Sequence, residues 1–170
     1  AYSLDDPLVE PFLEMSSRHN VSIIYPFYEL DGGTRYISTA VFKNGGILGT
    51  YRQVHLARTA FWEEQEIATP GNSLPIFDLG NVKLGVLMGW DVFFPEAART
   101  LVNKGAEVIV VPTAAAFQSG IRWLSVLIGH AVCNNCYVVR VNRNGKEDDL
   151  EFYGESFCVD PFGNLLEKPT

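Results

Sequence analysis

Residues 85 to 96 read Gly85-Val86-Leu87-Met88-Gly89-Trp90-Asp91-Val92-Phe93-Phe94-Pro95-Glu96. The apolar run that ends at Met88 predicts a buried strand, and the early proline at position 95 predicts the start of a helix. A tight strand-to-helix turn of this kind holds one side chain out from a sheet edge toward substrate. The turn centres on Gly89, which has no side chain to hold. The stretch therefore predicts the frame of a reactive site without its reactive atom.

The segments on both sides of this turn alternate between strand and helix patterns. A helix is predicted from Phe94 to Lys104, ended by Gly105, and a second one from Ile121 to Asn134. Buried strands are predicted at the β-branched runs 107–111 and 137–141. This alternation predicts an α/β fold with helices packed on the faces of mixed sheets.

Upstream of the turn, the pattern predicts one helix and a set of hairpins. Leu4, Leu8, Phe12 and Met15 recur at helical spacing around Pro7. A strand is expected at 21–25, and Gly80-Asn81 is expected to separate strands at 75–79 and 82–88. A tight turn at Asn44-Gly45-Gly46 is expected to join strands 35–42 and 47–52.

Three less regular segments are interpreted as loops or turns. Residues 53–74 show little periodicity, and a loop of this length inside a compact domain is usually functional. The polar stretch 142–151 is interpreted as a surface loop. Residues 160–164 are interpreted as a turn between short strands at 156–159 and 165–166. Trp62 and Trp123 are interpreted as core or interface aromatics.

Composition places the chain among ordinary globular domains. Its 170 residues, with 47% hydrophobic and 19% charged content, predict a single domain over residues 1–170. The net charge of -7 argues against nucleic acid or an anionic membrane as partner. No apolar segment reaches the roughly 20 residues of a spanning helix. Three cysteines cannot form a closed disulfide framework, which favours a reducing compartment, the cytoplasm.

The cysteines and histidines offer alternative sites. Cys133 and Cys136 have CxxC spacing, but they lie at the C-terminal end of a predicted helix, where the dipole disfavours a thiolate. No paired spacing completes a zinc site, so no metal is predicted. His55 and His130 are interpreted as hydrogen-bonded structural histidines rather than general bases.

Several further phrases, taken together in this order, resemble the nitrilase, or carbon-nitrogen hydrolase, superfamily. The phrases that carry the resemblance are Gly49-Thr50-Tyr51-Arg52-Gln53-Val54-His55-Leu56, Glu64 ahead of Pro70-Gly71, Gly89-Trp90-Asp91 with Phe94-Pro95-Glu96, Gly105-Ala106-Glu107 to Pro112-Thr113-Ala114, His130-Ala131 with Asn134, Val141-Asn142-Arg143, Phe152-Tyr153-Gly154-Glu155-Ser156-Phe157 and Asp160-Pro161-Phe162-Gly163. They extend over nearly the whole chain, which makes the resemblance specific for the fold.

The resemblance implies a four-layer α-β-β-α sandwich that forms a homo-oligomer. It implies hydrolysis of small-molecule amides, N-carbamoyl amines or nitriles by a Glu-Lys-Cys constellation, with no metal and no organic cofactor. In that chemistry a thiolate attacks the carbonyl carbon and a carboxylate relays protons. A lysine and a backbone N–H stabilise the oxyanion.

Carried onto this sequence, the resemblance places the nucleophile at Gly89 and the lysine at Gln53, so both are substituted. Gln53 is expected to donate a hydrogen bond toward a substrate carbonyl, more weakly than a charged donor would. Glu64 matches the supporting carboxylate that orients position 53, and the alternative is a solvated acidic loop that it forms with Glu63 and Glu66. The matched binding positions, with the backbone N–H of residue 90 in the oxyanion hole, are Trp90, Asp91, His55 and Thr113.

The resemblance also places the catalytic carboxylate upstream of the first helix, which implies a chain truncated at both ends. Two hypotheses follow. The chain is a carbon-nitrogen hydrolase with abolished or impaired activity, or it is a catalytically dead homologue that keeps a binding or assembly role. A simpler alternative for Gly89 is a glycine that only relaxes a strained turn.

Overall fold

The computed structural model describes residues 1–59, 63–116 and 119–166, so Trp62 lies outside the described residues. The helices are α1 (Glu10–Arg18), α2 (Glu64–Ile67), α3 (Pro95–Asn103) and α4 (Gly120–Asn134), with 3₁₀ turns at Pro7–Val9 and Gly89–Phe93. The strands are β1 (Ile23–Asp31), β2 (Thr34–Lys43), β3 (Gly46–Arg52), β4 (Ile76–Asp78), β5 (Lys83–Val86), β6 (Val108–Thr113), β7 (Tyr137–Asn142), β8 (Asn144–Glu147), β9 (Leu150–Tyr153) and β10 (Phe157–Val159). Within the described part of the chain, no helix combines the length and apolar character needed to cross a bilayer.

The first sheet is the antiparallel arrangement β1-β2-β3. Its second hairpin turns at Asn44 and Gly45, whose φ values of 53° and 77° are the left-handed values that a tight turn requires. This confirms the turn predicted at 44–46. Successive side chains of β2 point to opposite faces, so Ala40 and Phe42 pack under α1 while Val41 faces the second sheet.

The second sheet has the order β10-β7-β6-β5-β4. Its centre is parallel, because β5, β6 and β7 run in the same direction, and both edge strands are antiparallel. Parallel strands need crossover connections, and α3 and α4 supply them. Both helices cover the outer face of this sheet, where Leu101 and Leu127 are fully buried.

The two sheets pack against each other through their inner faces. Val41 and Tyr51 from the first sheet meet Phe77, Leu84 and Val86 from the second. Burial of this apolar surface, at roughly 25 cal/mol per Å², is the main force that holds the two sheets together. The order of layers is helix, sheet, sheet, helices, which confirms the predicted α-β-β-α sandwich.

The first helix is one place where the structure differs from the sequence pattern. Asp6 caps the 3₁₀ turn by accepting a hydrogen bond from the Leu8 N–H (3.0 Å). Leu8 and Met15 were predicted on the buried face, but they are 61% and 49% exposed. The residues that pack on the sheet are Val9, Phe12 and Leu13. The 3₁₀ turn shifts the helical phase, so the apolar face differs from the one that regular spacing indicates.

Two predictions about strands were wrong, each for its own physical reason. The strand predicted at 21–25 continues to Asp31, although Pro26 looks like a strand breaker. Because β1 is an edge strand, the missing proline N–H removes no essential ladder bond. Residues 142–151 were predicted as a loop, yet β8 and β9 form an antiparallel hairpin there. The four residues of β8 are all exposed, so it lacks the apolar alternation from which strands are recognised.

The predicted loop 53–74 contains the one-turn helix α2. The predicted short strand at 165–166 is only a single bridge between Val159 and Leu165. The remaining helices agree with the predictions within one residue at each end.

Position 53 directly follows β3 of the first sheet, and position 89 lies just beyond β5 of the second. The fold therefore brings the two substituted positions together from different sheets.

Candidate active site

Gly89 opens the 3₁₀ turn after β5 and has a φ of +42°, in the left-handed region that favours glycine. A Cβ atom built at this position would lie 3.6 Å from Nε2 and 3.8 Å from Oε1 of Gln53, which are ordinary van der Waals distances. Apart from residues 88–90 themselves, no heavy atom of the described residues would lie closer to this Cβ than Nε2 of Gln53. Position 89 therefore faces the Gln53 amide.

The Gln53 side chain is held in one orientation and is only 2% exposed. Its Nε2 donates to the backbone oxygen of His55 (2.9 Å) and to Oε2 of Glu64 (2.8 Å). Its backbone oxygen accepts a hydrogen bond from the Gly71 N–H (2.7 Å). Both side-chain N–H groups of Gln53 thus have protein acceptors, and donation toward a substrate carbonyl would require one of these hydrogen bonds to break.

Glu64 lies at the start of α2 and connects this helix to the site. Its Oε2 accepts from Gln53 and from the backbone N–H of Ala57 (2.6 Å). Burial raises the pKa of this carboxyl group, the two hydrogen bonds oppose that effect, and repulsion from Asp91 adds to it. Glu64 thus has the geometry of a carboxylate that positions residue 53.

The raised pKa of Glu64 predicts a pH-dependent difference between the native protein and a Glu64→Gln variant. Below about pH 4 the carboxyl group is protonated in both the folded and unfolded states, so its contribution to stability is then fully present. As pH rises from the unfolded pKa through the raised folded pKa, the unfolded state loses its proton first. The wild type therefore loses stability relative to Glu64→Gln over this interval.

Urea unfolding of wild type and Glu64→Gln at several pH values between about 4 and 7 checks this. Glu66→Gln, at an exposed carboxylate on the same short helix, is the matched control. Parallel stability curves for wild type and Glu64→Gln would contradict the prediction.

Asp91 is fully buried and acts as an acceptor for three donors. They are the Tyr51 hydroxyl, the His55 backbone N–H (2.7 Å) and the His55 ring nitrogen Nδ1 (2.9 Å). Burial raises the pKa of Asp91, and the hydrogen bonds from Tyr51 and His55 oppose the shift. The carboxylate thus bonds to protein donors and connects the turn to Tyr51 and His55.

His55 also has a packing role. Its ring stacks on Phe94 with ring centres 3.7 Å apart and planes inclined by 10°. His130 lies on α4, where its Nε2 is 2.6 Å from the backbone oxygen of Val92. Both histidines have the contacts of structural residues.

Trp90 and Thr113 lie at the borders of the turn. The Trp90 ring contacts Phe93 (4.9 Å between ring centres), and the Arg122 guanidinium lies 5.2 Å from the Trp90 ring centre. Thr113 ends β6, donates to Oδ1 of Asn142 (2.8 Å) and accepts from Nε of Arg140 (3.3 Å). The described contacts of Thr113 are with Asn142 and Arg140, which form a second hydrogen-bond network separate from Gly89.

Sequence reasoning missed the residues that hold this second network. Asn142 also accepts from the Ala115 N–H (2.8 Å) and donates to the Gly154 backbone oxygen (2.7 Å), so it joins the ends of three segments. Arg140 is 1% exposed and donates to the Glu155 backbone oxygen (3.2 Å) and the Tyr153 hydroxyl (3.1 Å). An arginine inside an apolar strand was the available signal, because charged residues are almost never fully buried without partners.

A cleft of about 550 Å³ lies beside the turn. Its lining includes His55 and Trp90, which were predicted as binding residues, together with Phe94, Leu56 and Arg58. Aromatic and aliphatic walls with a few polar groups are typical of small-molecule sites. The described residues that line the cleft include neither Gly89 nor Gln53, so it adjoins the turn through Trp90 and Phe94.

The sandwich and the arrangement of position 89, Gln53 and Glu64 define a scaffold of the carbon-nitrogen hydrolase type. The sequence profile described as carbon-nitrogen hydrolase matches residues 1–170, and the chain belongs to this family. This confirms the resemblance seen in the sequence.

Two curated relatives show the range of related proteins. The chain is 33% identical to a citrullinase from Francisella tularensis, with 96% of this chain and 62% of the relative covered. It is 32% identical to an N-carbamoylputrescine amidase from Solanum tuberosum, with 96% and 60% covered. The chain thus spans about 60% of the length of these relatives.

Solved structures agree with the fold. A carbon-nitrogen hydrolase from Helicobacter pylori G27 superimposes with a TM-score of 0.88 at 29% identity, covering 94% of this chain and 61% of that one. An amidase mutant from Nesterenkonia sp. AN1, with alanine in place of a cysteine and in complex with butyramide, has a TM-score of 0.85 at 27% identity. It covers 93% of this chain and 60% of the amidase.

Proposed function

We propose that this chain is part of a carbon-nitrogen hydrolase that binds a small primary amide or N-carbamoyl compound in front of Gly89. We further propose that hydrolysis of the C–N bond by this chain is abolished or strongly impaired. The observation that carries the proposal is a glycine at the turn position that faces Gln53, whose side chain is held by Glu64 and the His55 backbone oxygen. The network orients a ligand, but the turn supplies no attacking atom.

The chemistry supports this division between binding and turnover. Covalent amide hydrolysis in this arrangement starts with attack by a side-chain nucleophile, which glycine lacks. Gln53 carries no positive charge, and its N–H groups are used internally, so it does not stabilise an oxyanion. The structurally similar Nesterenkonia amidase mutant, with alanine in place of a cysteine, still holds butyramide. This supports amide binding by a structurally similar protein in which a cysteine has been replaced.

A binding and turnover experiment tests the proposal. Calorimetry with butyramide and N-carbamoylputrescine is expected to show saturable binding, and an ammonia-release assay is expected to stay at the level of the protein-free control. Release of ammonia by the purified chain, or a covalent acyl adduct detected by mass spectrometry, would overturn the claim of impaired hydrolysis.

A blocking variant locates the binding. Gly89→Leu places a side chain in the space before Gln53 and is expected to abolish butyramide binding. Gly32→Leu is the matched control, since Gly32 also has a positive φ (+54°) and an added Cβ there meets no atom within 4 Å. Equal loss of binding in both variants would contradict the placement of the ligand at Gly89.

The alternative is a homologue that is kept for assembly rather than for ligand binding. The observation in its favour is apolar surface on and near α4, where Ile121, Val132 and Phe162 are 76%, 49% and 85% exposed. Such surface is typical of an interface between subunits. A homo-oligomer in sedimentation analysis together with no ligand binding would favour this alternative, and a monomer would contradict it.

The cellular setting is also a proposal. The three cysteines are free thiols. Unpaired cysteines suit a reducing compartment, so we place the protein in the cytoplasm. As the resemblance implies, the proposed chemistry uses no cofactor.

A further inference from the structure

We propose that Oε1 of Gln53 selects the ligand by accepting a hydrogen bond from its N–H group. The site would then prefer a primary carboxamide or ureido group over a ketone or carboxylate of the same size. This inference rests on the proposed function and specifies which end of the ligand position 53 recognises. It reverses the role of a lysine at this position, because a lysine ammonium only donates.

The orientation of the Gln53 amide follows from the atoms around it. The oxygen and nitrogen of an amide are distinguished by their partners. One neighbour is the His55 backbone oxygen, which can only accept, and the other is a Glu64 carboxylate oxygen. Both lie within 2.9 Å of the same amide atom, so that atom is the NH₂ nitrogen and both of its hydrogens are used. The other terminal atom is therefore the carbonyl oxygen.

This oxygen has no hydrogen-bond partner among residues 1–59, 63–116 and 119–166. In those ranges the only side-chain polar atom that is both sealed from solvent and unpartnered is Oδ1 of Asn134. The Gln53 oxygen is therefore not sealed, although its side chain is only 2% exposed. It lies 3.8 Å from the Cβ position of residue 89, so it borders the space in which the ligand is proposed to sit.

The consequence for selectivity follows from hydrogen-bond matching. A nearly buried acceptor that loses its access to water without gaining a donor weakens binding, and a ligand N–H avoids this loss. A ketone offers only an acceptor and leaves the Gln53 oxygen unpaired. A carboxylate places further negative charge near Glu64, whose pKa is already raised by burial. A primary amide has the N–H donors that this acceptor lacks.

Three ligands of the same chain length test the proposal: butyramide, 2-pentanone and butyrate. In calorimetry, wild type is expected to bind butyramide about tenfold more tightly than 2-pentanone or butyrate. Gln53→Lys is expected to reverse the order, because the ammonium donates to the carbonyl or carboxylate oxygen. Gln53→Met, of similar shape but without either polar atom, is expected to bring butyramide and 2-pentanone to similar affinity. Equal affinities in wild type, or an unchanged order in Gln53→Lys, would overturn the proposal.

A measurement on the free protein separates this inference from the proposed function. The side-chain NH₂ signals of Gln53, assigned by their loss in Gln53→Met, are expected to exchange with solvent much more slowly than those of exposed Gln65. Exchange as fast as that of Gln65 would overturn the assigned orientation even if butyramide binds. Protected signals with no binding of any ligand would overturn the proposed function, and with it the ligand preference.

Discussion

Gly71→Ala is expected to destabilise the protein by about 3 kcal/mol or more, at the upper end of what an added methyl group costs in a packed site. A Cβ at position 71 would lie 2.8 Å from Cβ and 2.9 Å from the carbonyl carbon of Arg52, and still closer to the Arg52 backbone oxygen. Backbone atoms cannot move aside as the end of a flexible side chain can. The Gly71 N–H also donates to the Gln53 backbone oxygen (2.7 Å), so displacement of residue 71 disturbs the site.

Urea unfolding with Gly129→Ala as the matched control checks this expectation. Gly129 lies inside α4, and an added Cβ there meets no atom within 4 Å. Because alanine is a better helix former, the control is expected to be neutral or more stable by up to about 1 kcal/mol. Similar urea midpoints for Gly71→Ala and Gly129→Ala would contradict this expectation, because the backbone near Arg52 would then have moved to accommodate the added methyl group. Butyramide binding is expected to be lost with Gly71→Ala and retained with Gly129→Ala.

The second large effect is expected at Asp91. Asp91→Ala removes the acceptor for the Tyr51 hydroxyl and for two donors of His55, and leaves buried donors unpaired. Each buried donor left without a partner costs about 1–3 kcal/mol, so a total loss of about 3 kcal/mol or more is expected. Asp91→Asn keeps the shape and one acceptor oxygen, and is expected to cost less.

Chemical denaturation of Asp91→Ala, Asp91→Asn and the control Asp78→Ala checks this order. Asp78 is exposed and accepts one hydrogen bond, from the Gly80 N–H (2.7 Å), so its removal is expected to cost about 1 kcal/mol or less. If Asp91→Ala were no worse than Asp78→Ala, the buried network around Tyr51 would contribute little to stability.

Local signals in the sequence were sufficient for much of the fold. The change from an apolar run to a proline-led helix located the turn at Gly89, and the asparagine-glycine pair at 44–45 located a hairpin. Both features depend on residues close together in the chain, where backbone preferences act directly. The exposed hairpin β8-β9 gave no such signal, since its strand character comes from pairing rather than from an apolar face.

The candidate site shows where sequence reasoning stops. The resemblance identified positions 53, 64 and 89, and the structure joins Gln53 to Glu64 by a hydrogen bond and places position 89 opposite the Gln53 amide. The direction of the Gln53 amide depends on the His55 backbone oxygen and on Glu64, eleven residues away in the chain. Asp91 was predicted as a binding residue, but the contact with Tyr51 from the other sheet shows an anchoring geometry. Such long-range contacts are set by packing and are not encoded in local spacing.

The facing of Gln53 and Gly89 across the two sheets has a mechanical consequence. Gln53 follows β3 and Gly89 follows β5, so any ligand that touches both residues spans the interface between the two sheets. A sliding of one sheet past the other would separate the two halves of the site before either sheet unfolds. Ligand binding and the alignment of the two sheets are thus thermodynamically linked, and a bound amide would stabilise the interface between the sheets against sliding.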